Sequence, residues 1–270
     1  MAMQWQPFQV MGILNVTPDS FSDGGAYNTL SSALKQAEAM VAAGASWLDV
    51  GGESTRPGAA DVSEAEELQR VIPVIAAIAR EFPVHISVDT SKAAVMLEAV
   101  AAGASMINDV RALREPGALA AAAETQAKVC LMHMVGQPRT MQDAPEYTNI
   151  IADIKQFFQQ RIAECNAAGI ASDRILLDPG FGFGKTVRHN YELLHRLACF
   201  HDFNLPLLIG MSRKSMLGAV TGREVNERLS ASIAAATIAM MKGAAILRVH
   251  DVAETMDAVK VVTATLTGEY

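Results

Sequence analysis

The 270-residue sequence carries a formal net charge of −7, half of its residues are hydrophobic and 19% are charged. This balance excludes a disordered or fibrous chain. Because no Lys/Arg-rich run is present, it also argues against nucleic acid or an anionic membrane as the main partner.

Short apolar runs alternate eight times with longer amphipathic stretches. Runs that are apolar throughout predict strands covered on both faces, as in a parallel sheet. In chain order the predicted strands are 10–14, 47–50, 85–88, 106–108, 129–132, 175–177, 207–209 and 246–249.

The stretches between the strands predict helices with recognisable ends. Ser63 followed by Glu66 is typical of a capping box, and predicts a helix that extends to Arg80. Glycine is the preferred residue just beyond a helix, where the backbone turns left-handed. Four further helices, each closed by a glycine, are predicted at 30–43, 92–102, 153–168 and 227–242.

Eight strand–helix units with right-handed crossovers form a parallel sheet, and eight is the number that closes it. We therefore predict an α/β protein, a (β/α)₈ TIM barrel with a single domain over residues 1–270. A doubly wound open sheet is the alternative, and it requires a reversal of strand order that a sequence does not display.

Polar side chains stand at the carboxyl end of every predicted strand. Buried, unpaired charges cost several kcal/mol, so such a set is tolerated only if its members pair or meet a ligand. In barrels this end carries the active site. Taken singly, Asp49 and His133 are explained equally well as partners of backbone amides. The set comprises Asn15, Asp49, Asp89, Asn108, His133, Asp178, Lys214 and Arg248.

Three members of this set suggest a class of ligand. Asp89 and Asp178 are carboxylate acceptors, and Asn108 has a carboxamide that both donates and accepts hydrogen bonds. This combination suits a flat heterocycle with amino, N–H and carbonyl edges. We infer a guanine-like or pterin-like ligand.

Two glycine-rich loops, 15–25 and 51–58, follow the first two strands. Long loops at this end of a barrel commonly carry function and close over ligands. Phe21, Thr55 and Arg56 are placed to do so. The alternative is that both loops are solvated turns.

Segment 178–186 resembles a phosphate-binding P-loop but has Pro179 where the first glycine is required. We predict instead an apolar and aromatic wall beside the pocket, with Phe181 or Phe183 lining it unless both belong to the core. Segments 210–215 and 248–250 gather cations and donors that suit a phosphate or carboxylate.

Cys130, Cys165 and Cys199 are widely spaced in apolar segments, so we expect three buried free thiols, as in a reducing cytosol. The first nine residues lack the pattern of an export signal, and no apolar run of about 18 residues occurs. We expect a cytoplasmic protein without a membrane span. His85, His189, His195 and His201 lack the spacing of metal ligands and are assigned to packing or surface.

Taken together and in order, these segments resemble the dihydropteroate synthases of folate biosynthesis. The resemblance spans nearly the whole chain, and the short ends leave no room for a fused pterin kinase or aldolase. The matching segments are the Asn15 loop, 49–57, 87–91, 108–110, 132–134, 178–186, 212–215 and 248–250.

The resemblance implies a reaction and its partners. This family joins 4-aminobenzoate to (7,8-dihydropterin-6-yl)methyl diphosphate and releases diphosphate, with Mg²⁺ carried by the diphosphate. The diphosphate departs first, and the arylamine attacks the resulting pterin methylene cation. Sulfonamides act as inhibitors that mimic the arylamine, and the family forms homodimers.

The resemblance also implies a role for each matching residue. Asp89, Lys214 and Arg248 are the catalytic candidates, with Asp89 best suited to stabilise the cation. Asn15 contacts the metal. The pterin is held by Asp89, Asn108, Asp178, Lys214 and Arg248; the diphosphate by Arg56, Arg248 and His250; and 4-aminobenzoate by Phe21, Thr55, Pro57, Phe183, Lys214 and Ser215.

Two rival functions remain open. A methyltransferase that passes a methyl group from a pterin to a corrinoid protein shares the acid and amide contacts, but is not expected to have the Phe21 loop or the 212–214 cluster. A pterin-binding module without catalysis is the second rival, and the presence of Asn15, Arg56, Lys214 and Arg248 argues against it. The apolar run 238–241 indicates either barrel core or a homodimer face.

Overall fold

The computed structural model describes residues 8–17, 26–54, 61–136 and 146–269. Within them, eight parallel strands form one sheet in the order β6-β5-β4-β3-β2-β1-β8-β7. The strands are β1 (Gln9–Asn15), β2 (Trp47–Gly51), β3 (His85–Asp89), β4 (Met106–Asp109), β5 (Lys128–Met132), β6 (Ile175–Asp178), β7 (Leu208–Ile209) and β8 (Ile246–Val249).

The sheet closes on itself between its two outer strands. The amide of Leu177 donates to the carbonyl of Pro206 at 3.0 Å, and Leu177 pairs with Leu207 in a parallel bridge. The predicted (β/α)₈ barrel is therefore confirmed, and the open doubly wound sheet is wrong. The strand at 207–209 is shorter than predicted, because Leu207 belongs to this closing bridge rather than to the regular ladder.

Helices cover the outside of the barrel. The described helices are α1 (Ala26–Ala42), α2 (Glu64–Glu81), α3 (Ala93–Ala101), α4 (Ala118–Glu124), α5 (Ile150–Ala167), α6 (Val187–His195), α7 (Ser215–Thr221), α8 (Leu229–Met241) and α9 (Val252–Thr267). Three predicted helix starts were wrong, and one of them is that of α1, which begins at Ala26 rather than at residue 30. Helix α5 begins earlier because Asn149 caps it, accepting from the amide of Ala152, and α8 begins later because Val225–Glu227 forms a separate 3₁₀ turn.

The capping box predicted at Ser63 is only half formed. The Ser63 hydroxyl accepts a hydrogen bond from the amide of Glu66 at 3.2 Å, as predicted. The Glu66 carboxylate instead forms an ion pair with Arg70, one turn along α2. A side-chain partner on the same helix face thus replaces the reciprocal backbone contact.

Alternation along the strands divides the interior into two apolar layers. One small cluster fills the barrel, and a larger one lies between the sheet and the helices. The barrel cluster comprises Met11, Trp47, Met106, Cys130, Leu176, Leu208 and Ile246. Because side chains two residues apart on a strand share a face, residues two positions beyond these point to the same axis at the carboxyl end.

Two predictions of burial need correction. Cys130 and Cys165 are buried, but Cys199 is only half-buried, in a 3₁₀ turn that leads towards β7. In segment 238–241, two of the four side chains face outward. Ile238 is 44% exposed and Met241 53% exposed, whereas Ala239 and Met240 are buried.

No helix in the described part of the chain has the length and apolar character to cross a membrane.

Candidate active site

The carboxyl mouth of the barrel is polar because the inward-facing positions change character there. On β2, Trp47 packs inside the barrel, and Asp49, two residues later, is fully buried above it. The same step separates Met106 from Asn108 on β4. Leu176 and Asp178 on β6, and Ile246 and Arg248 on β8, repeat the pattern.

Arg248 joins the two acids of neighbouring strands. Its Nε donates to Oδ2 of Asp49 at 2.6 Å, and its Nη2 donates to Oδ2 of Asp89 at 2.7 Å. The amide nitrogen of Asn108 donates to the same Asp49 oxygen at 3.1 Å. Asp49 therefore orients both Arg248 and Asn108, a role that the sequence alone did not assign to it.

Burial and mutual interaction shift the pKa values of Asp89 and Arg248. Burial raises the pKa of Asp89 to about 7, although the guanidinium of Arg248 opposes the shift. Burial disfavours the charge on Arg248, yet Asp49 and Asp89 together raise its pKa above the ordinary value. A buried carboxylate whose pKa lies close to neutral pH is stabilised by a partner that donates hydrogen bonds to it.

Asp178 and Lys214 form the opposite side of the mouth. Oδ1 of Asp178 accepts from the amide of Gly180 at 2.7 Å, and burial raises its pKa despite the nearby ammonium of Lys214. Burial lowers the pKa of Lys214 to about 8, while Asp178 raises it. Asp89 and Arg248 also act electrostatically on Lys214, so the two sides of the mouth form one site.

The Lys214 ammonium rests on the loop that follows β6. Its Nζ donates to the carbonyl of Phe181 and lies 4.6 Å from the centre of the Phe183 ring. Phe183 packs beside Met132 and Met134 at the mouth, while Phe181 is fully buried in the outer core. Of the two aromatic residues predicted to line the site, only Phe183 is placed to do so.

The residues of segment 210–215, predicted to bind an anion, do not all face the mouth. Arg213, with a left-handed backbone at φ +59°, turns to Asp251 and forms an ion pair with it. Ser212 accepts from the amide of His250 at 3.2 Å and contacts its Nδ1 at 3.0 Å, so His250 is held beside the mouth. Ser215 is exposed at the first position of α7.

Lys185 is a site-adjacent residue that sequence reasoning missed. Its Nζ lies 3.1 Å from Nδ1 of His133, 2.8 Å from the carbonyl of Gly180 and 3.0 Å from that of Phe183. His133 therefore contacts an ammonium rather than the backbone amide proposed as its structural partner. The available signal was a lysine directly after a glycine-rich segment.

Asn15 ends β1, close to Gly51 and Asp89. A Cβ atom placed on Gly51 would lie 3.8 Å from Oδ1 of Asn15 and 3.4 Å from Cβ of Asp89. Four predicted site residues lie outside the described residues: Phe21, Thr55, Arg56 and Pro57.

The described part of the site thus presents acceptors, donors and an aromatic face at one mouth of the barrel. Asp89 and Asp178 accept hydrogen bonds, Asn108 does both, and Arg248 and Lys214 supply positive charge. This set suits a flat polar ring that carries an anionic group.

Comparison with known proteins agrees with this geometry. A family described as pterin binding enzyme matches residues 11–250. The dihydropteroate synthase of Escherichia coli K12 is 62% identical over 260 residues, which cover 96% of this chain and 92% of that protein.

Two solved structures are similar throughout. The Yersinia pestis dihydropteroate synthase in a sulfonamide drug complex has a TM-score of 0.93 at 59% identity, covering 97% of this chain and 95% of that one. The Xanthomonas albilineans dihydropteroate synthase with 4-aminobenzoic acid has a TM-score of 0.91 at 49% identity, covering 97% and 94%. The chain therefore belongs to the pterin binding enzyme family and, within it, to the dihydropteroate synthases, a class of transferases.

Proposed function

We propose that the chain joins 4-aminobenzoate to (7,8-dihydropterin-6-yl)methyl diphosphate, forms 7,8-dihydropteroate for folate synthesis and releases diphosphate. The observation that supports this most strongly is the convergence of side chains from several strands on one mouth. Asp89, Asn108 and Arg248 lie on one side, and Asp178 and Lys214 on the other.

The pterin is held by complementary hydrogen bonds. Asp89 and Asp178 accept from the amino and N–H edges, Asn108 spans both kinds of edge, and Lys214 and Arg248 donate to ring acceptors. Burial raises the pKa values of both carboxyls because it disfavours their negative charge. Hydrogen bonds donated by the pterin ring would stabilise that charge. The free energy of pterin binding therefore includes the relief of two poorly solvated acids.

Arg248 and His250 would hold the diphosphate, together with Arg56 by resemblance to the family, and Asn15 would contact its Mg²⁺. Magnesium commonly binds through one or two protein oxygens plus substrate phosphates, and the amide oxygen of Asn15 suits that role. Among the described residues, no group of three His, Cys, Asp or Glu side chains forms a metal site. A single amide oxygen suits a metal that is held mainly by the diphosphate, and such a metal would neutralise charge on the leaving group.

We expect 4-aminobenzoate to pack against the aromatic face of the mouth. Phe183, with Lys214 above its ring, provides one wall. Ser215 would lie near the carboxylate of the substrate, and the resemblance adds Phe21, Thr55 and Pro57 to the residues that bind it. A flat arylamine packed on an aromatic ring gains dispersion energy and loses little conformational freedom.

The reaction proceeds by departure of the leaving group and then attack. The C–O bond to the diphosphate breaks with its electron pair, aided by Arg248, and the cation that remains on the pterin methylene is stabilised by Asp89. The nitrogen of 4-aminobenzoate forms the new C–N bond and releases a proton. Because the arylamine attacks a cation, no strong general base is required.

Turnover of the two substrates tests this proposal directly. Diphosphate release should require both substrates and Mg²⁺, and a sulfonamide should compete with 4-aminobenzoate. Pterin binding without any diphosphate release would instead support the non-catalytic module. Non-competitive inhibition would exclude a pocket shared by sulfonamide and 4-aminobenzoate.

We further propose a cytoplasmic homodimer. Ile238 and Met241 lie three residues apart on α8 and leave an exposed apolar strip that a second copy would cover. Because Cys130 and Cys165 are free and buried, the chain suits a reducing compartment.

A further inference from the structure

We propose that Lys185 is a positioning residue, which gathers the loop after β6 so that Phe183 and Lys214 form the platform for 4-aminobenzoate. This inference rests on the proposed function. Lys185 lies in segment 178–186, which resembles a P-loop, and none of the proposed ligand contacts involves it.

The contacts of Lys185 use its full donor capacity. The residue is 3% exposed, burial lowers its pKa to about 7, and its protonated form has three N–H donors. Two go to the carbonyls of Gly180 and Phe183, at 2.8 and 3.0 Å. The third goes to Nδ1 of His133 at 3.1 Å, with the carbonyl of His133 at 3.3 Å beside it. No donor is left for a phosphate or for another ligand.

His133 completes this arrangement as an acceptor. Burial and the nearby Lys185 ammonium lower the pKa of His133 to about 2, so the ring is neutral. We assign the free lone pair to Nδ1 because the adjacent nitrogen of Lys185 already donates to two carbonyls. The ammonium thus ties the end of β5 to the loop after β6.

The loop is shaped to fit around this ammonium. Gly180 has φ +73° and Gly184 has φ +60°, conformations that favour glycine. A Cβ on Gly180 would lie 1.9 Å from the carbonyl oxygen of His133, and one on Gly184 would lie 2.7 Å from that of Val135. The loop backbone is therefore pressed against the chain that leaves β5, with the Lys185 ammonium at the centre of the turn.

The outer side of the same loop carries the groups that meet Lys214. The carbonyl of Phe181 accepts from Nζ of Lys214, and the Phe183 ring lies beneath that nitrogen. A shift of the turn would move both groups together. Of the five residues proposed to hold the pterin, Asp89, Asn108 and Arg248 stand on β3, β4 and β8 and make no described contact with Lys185. The other two, Asp178 and Lys214, contact the loop directly.

This division predicts a selective kinetic effect. In Lys185→Met, which keeps the length of the side chain but removes all three donors, KM for 4-aminobenzoate should rise about tenfold or more. KM for the pterin diphosphate should rise by a clearly smaller factor, because three of its five proposed contacts do not involve the loop. Loss of stability alone would reduce the amount of active enzyme and would leave both KM values unchanged.

A double-mutant cycle tests whether the effect passes through the platform. Lys185→Met and Phe183→Leu should raise KM for 4-aminobenzoate by less in combination than the product of their separate effects. The matched control is Lys155→Met on α5, which removes an ammonium from a pair with the exposed Asp202. Its effect on KM for 4-aminobenzoate and that of Phe183→Leu should multiply.

The outcomes distinguish this inference from the proposed function. A wild-type chain without turnover would contradict the proposed function itself. An active wild type, with a Lys185→Met variant that folds and keeps its KM for 4-aminobenzoate, would overturn the positioning role. If that variant does not fold, His133→Leu removes one acceptor only and should raise the same KM about threefold; an unchanged KM there would also overturn the role.

Discussion

Arg248 lies between two buried acids, and this position gives it two separate roles. It neutralises Asp49 and Asp89 while its side chain is still 21% exposed to the mouth. An arginine with two carboxylate partners is rigidly held, so its remaining surface is aligned before a ligand arrives. Asp49 supports the site without facing a ligand itself.

Substitutions of the two cations should therefore differ. Lys214→Ala should lose most turnover with a smaller change in the free energy of unfolding, because among the described residues its direct contacts are a carbonyl and an aromatic ring and it forms no ion pair at contact distance with Asp178. Arg248→Ala should lose turnover and also destabilise the fold by about 3 kcal/mol, because two buried carboxylates lose their partner. Steady-state kinetics and urea denaturation measure the two effects, and unchanged kcat/KM in either variant would refute its catalytic role.

The pH dependence of kcat/KM for the pterin diphosphate should follow Asp89 and Lys214, whereas Lys185, whose pKa burial lowers to about 7, should act on KM for 4-aminobenzoate. As pH rises through about 7, Asp89 loses its proton and becomes a full acceptor for the pterin, so kcat/KM should rise. Above a pH of about 8, Lys214 loses its charge and kcat/KM should fall. Arg248, Asp49, Glu67 and Asp109 also act on Asp89, so the lower limb belongs to the group as a whole. A profile without a lower limb would contradict this assignment.

The same shift has the opposite sign for stability. A raised carboxyl pKa contributes stability that is present below its ordinary value and is lost as pH rises through about 7. The contribution of Asp89 to the free energy of unfolding of the unliganded chain should therefore decline over the range in which activity rises. Comparison of wild type with Asp89→Asn by urea denaturation across this range isolates that contribution.

At the scale of elements, the loop after β6 is the most constrained part of the described site. Gly180→Ala should disrupt it, since a methyl group would meet the His133 carbonyl oxygen, a backbone atom that has little freedom to move. We expect loss of more than about 3 kcal/mol of stability or a tenfold higher KM for 4-aminobenzoate.

Gly169→Ala is the matched control. Gly169 also has a positive φ, of +90°, but a Cβ atom placed there would have no neighbour within 4 Å, and the residue follows α5 rather than β6. The substitution should cost only about 1 kcal/mol and leave kinetics unchanged. Equal effects of the two substitutions on KM would show that backbone strain alone, rather than the contact with His133, matters.

For the whole molecule, the exposed strip on α8 determines the prediction. Ile238→Glu with Met241→Glu should convert a particle of two chains into one of a single chain, as measured by light scattering, because charges on an apolar interface are costly to bury. Leu97→Glu, at a similarly exposed position on α3, is the control and should not alter the mass. A single-chain mass for the wild type would contradict the homodimer.

The sequence by itself determined the architecture, because its signals are local. Apolar runs, glycine helix ends and one polar residue per strand end were sufficient to predict eight strands, a closed barrel and the mouth that carries Asp89, Asn108, Asp178 and Lys214. Local signals were less reliable where partners compete. The Glu66 carboxylate pairs with Arg70 instead of capping the helix. Phe181 is buried in the core, whereas Phe183 lies at the mouth.

Only the tertiary structure decided which groups pair. Asp49 and Arg248 are 199 residues apart in sequence, and Lys185 and His133 are 52 apart. Whether a buried charge is stabilised depends on the atoms that closure of the barrel places within about 3 Å of it, and no local pattern records them. For that reason the identity of the site residues could be predicted from the sequence, whereas the supporting roles of Asp49 and Lys185 required the folded barrel.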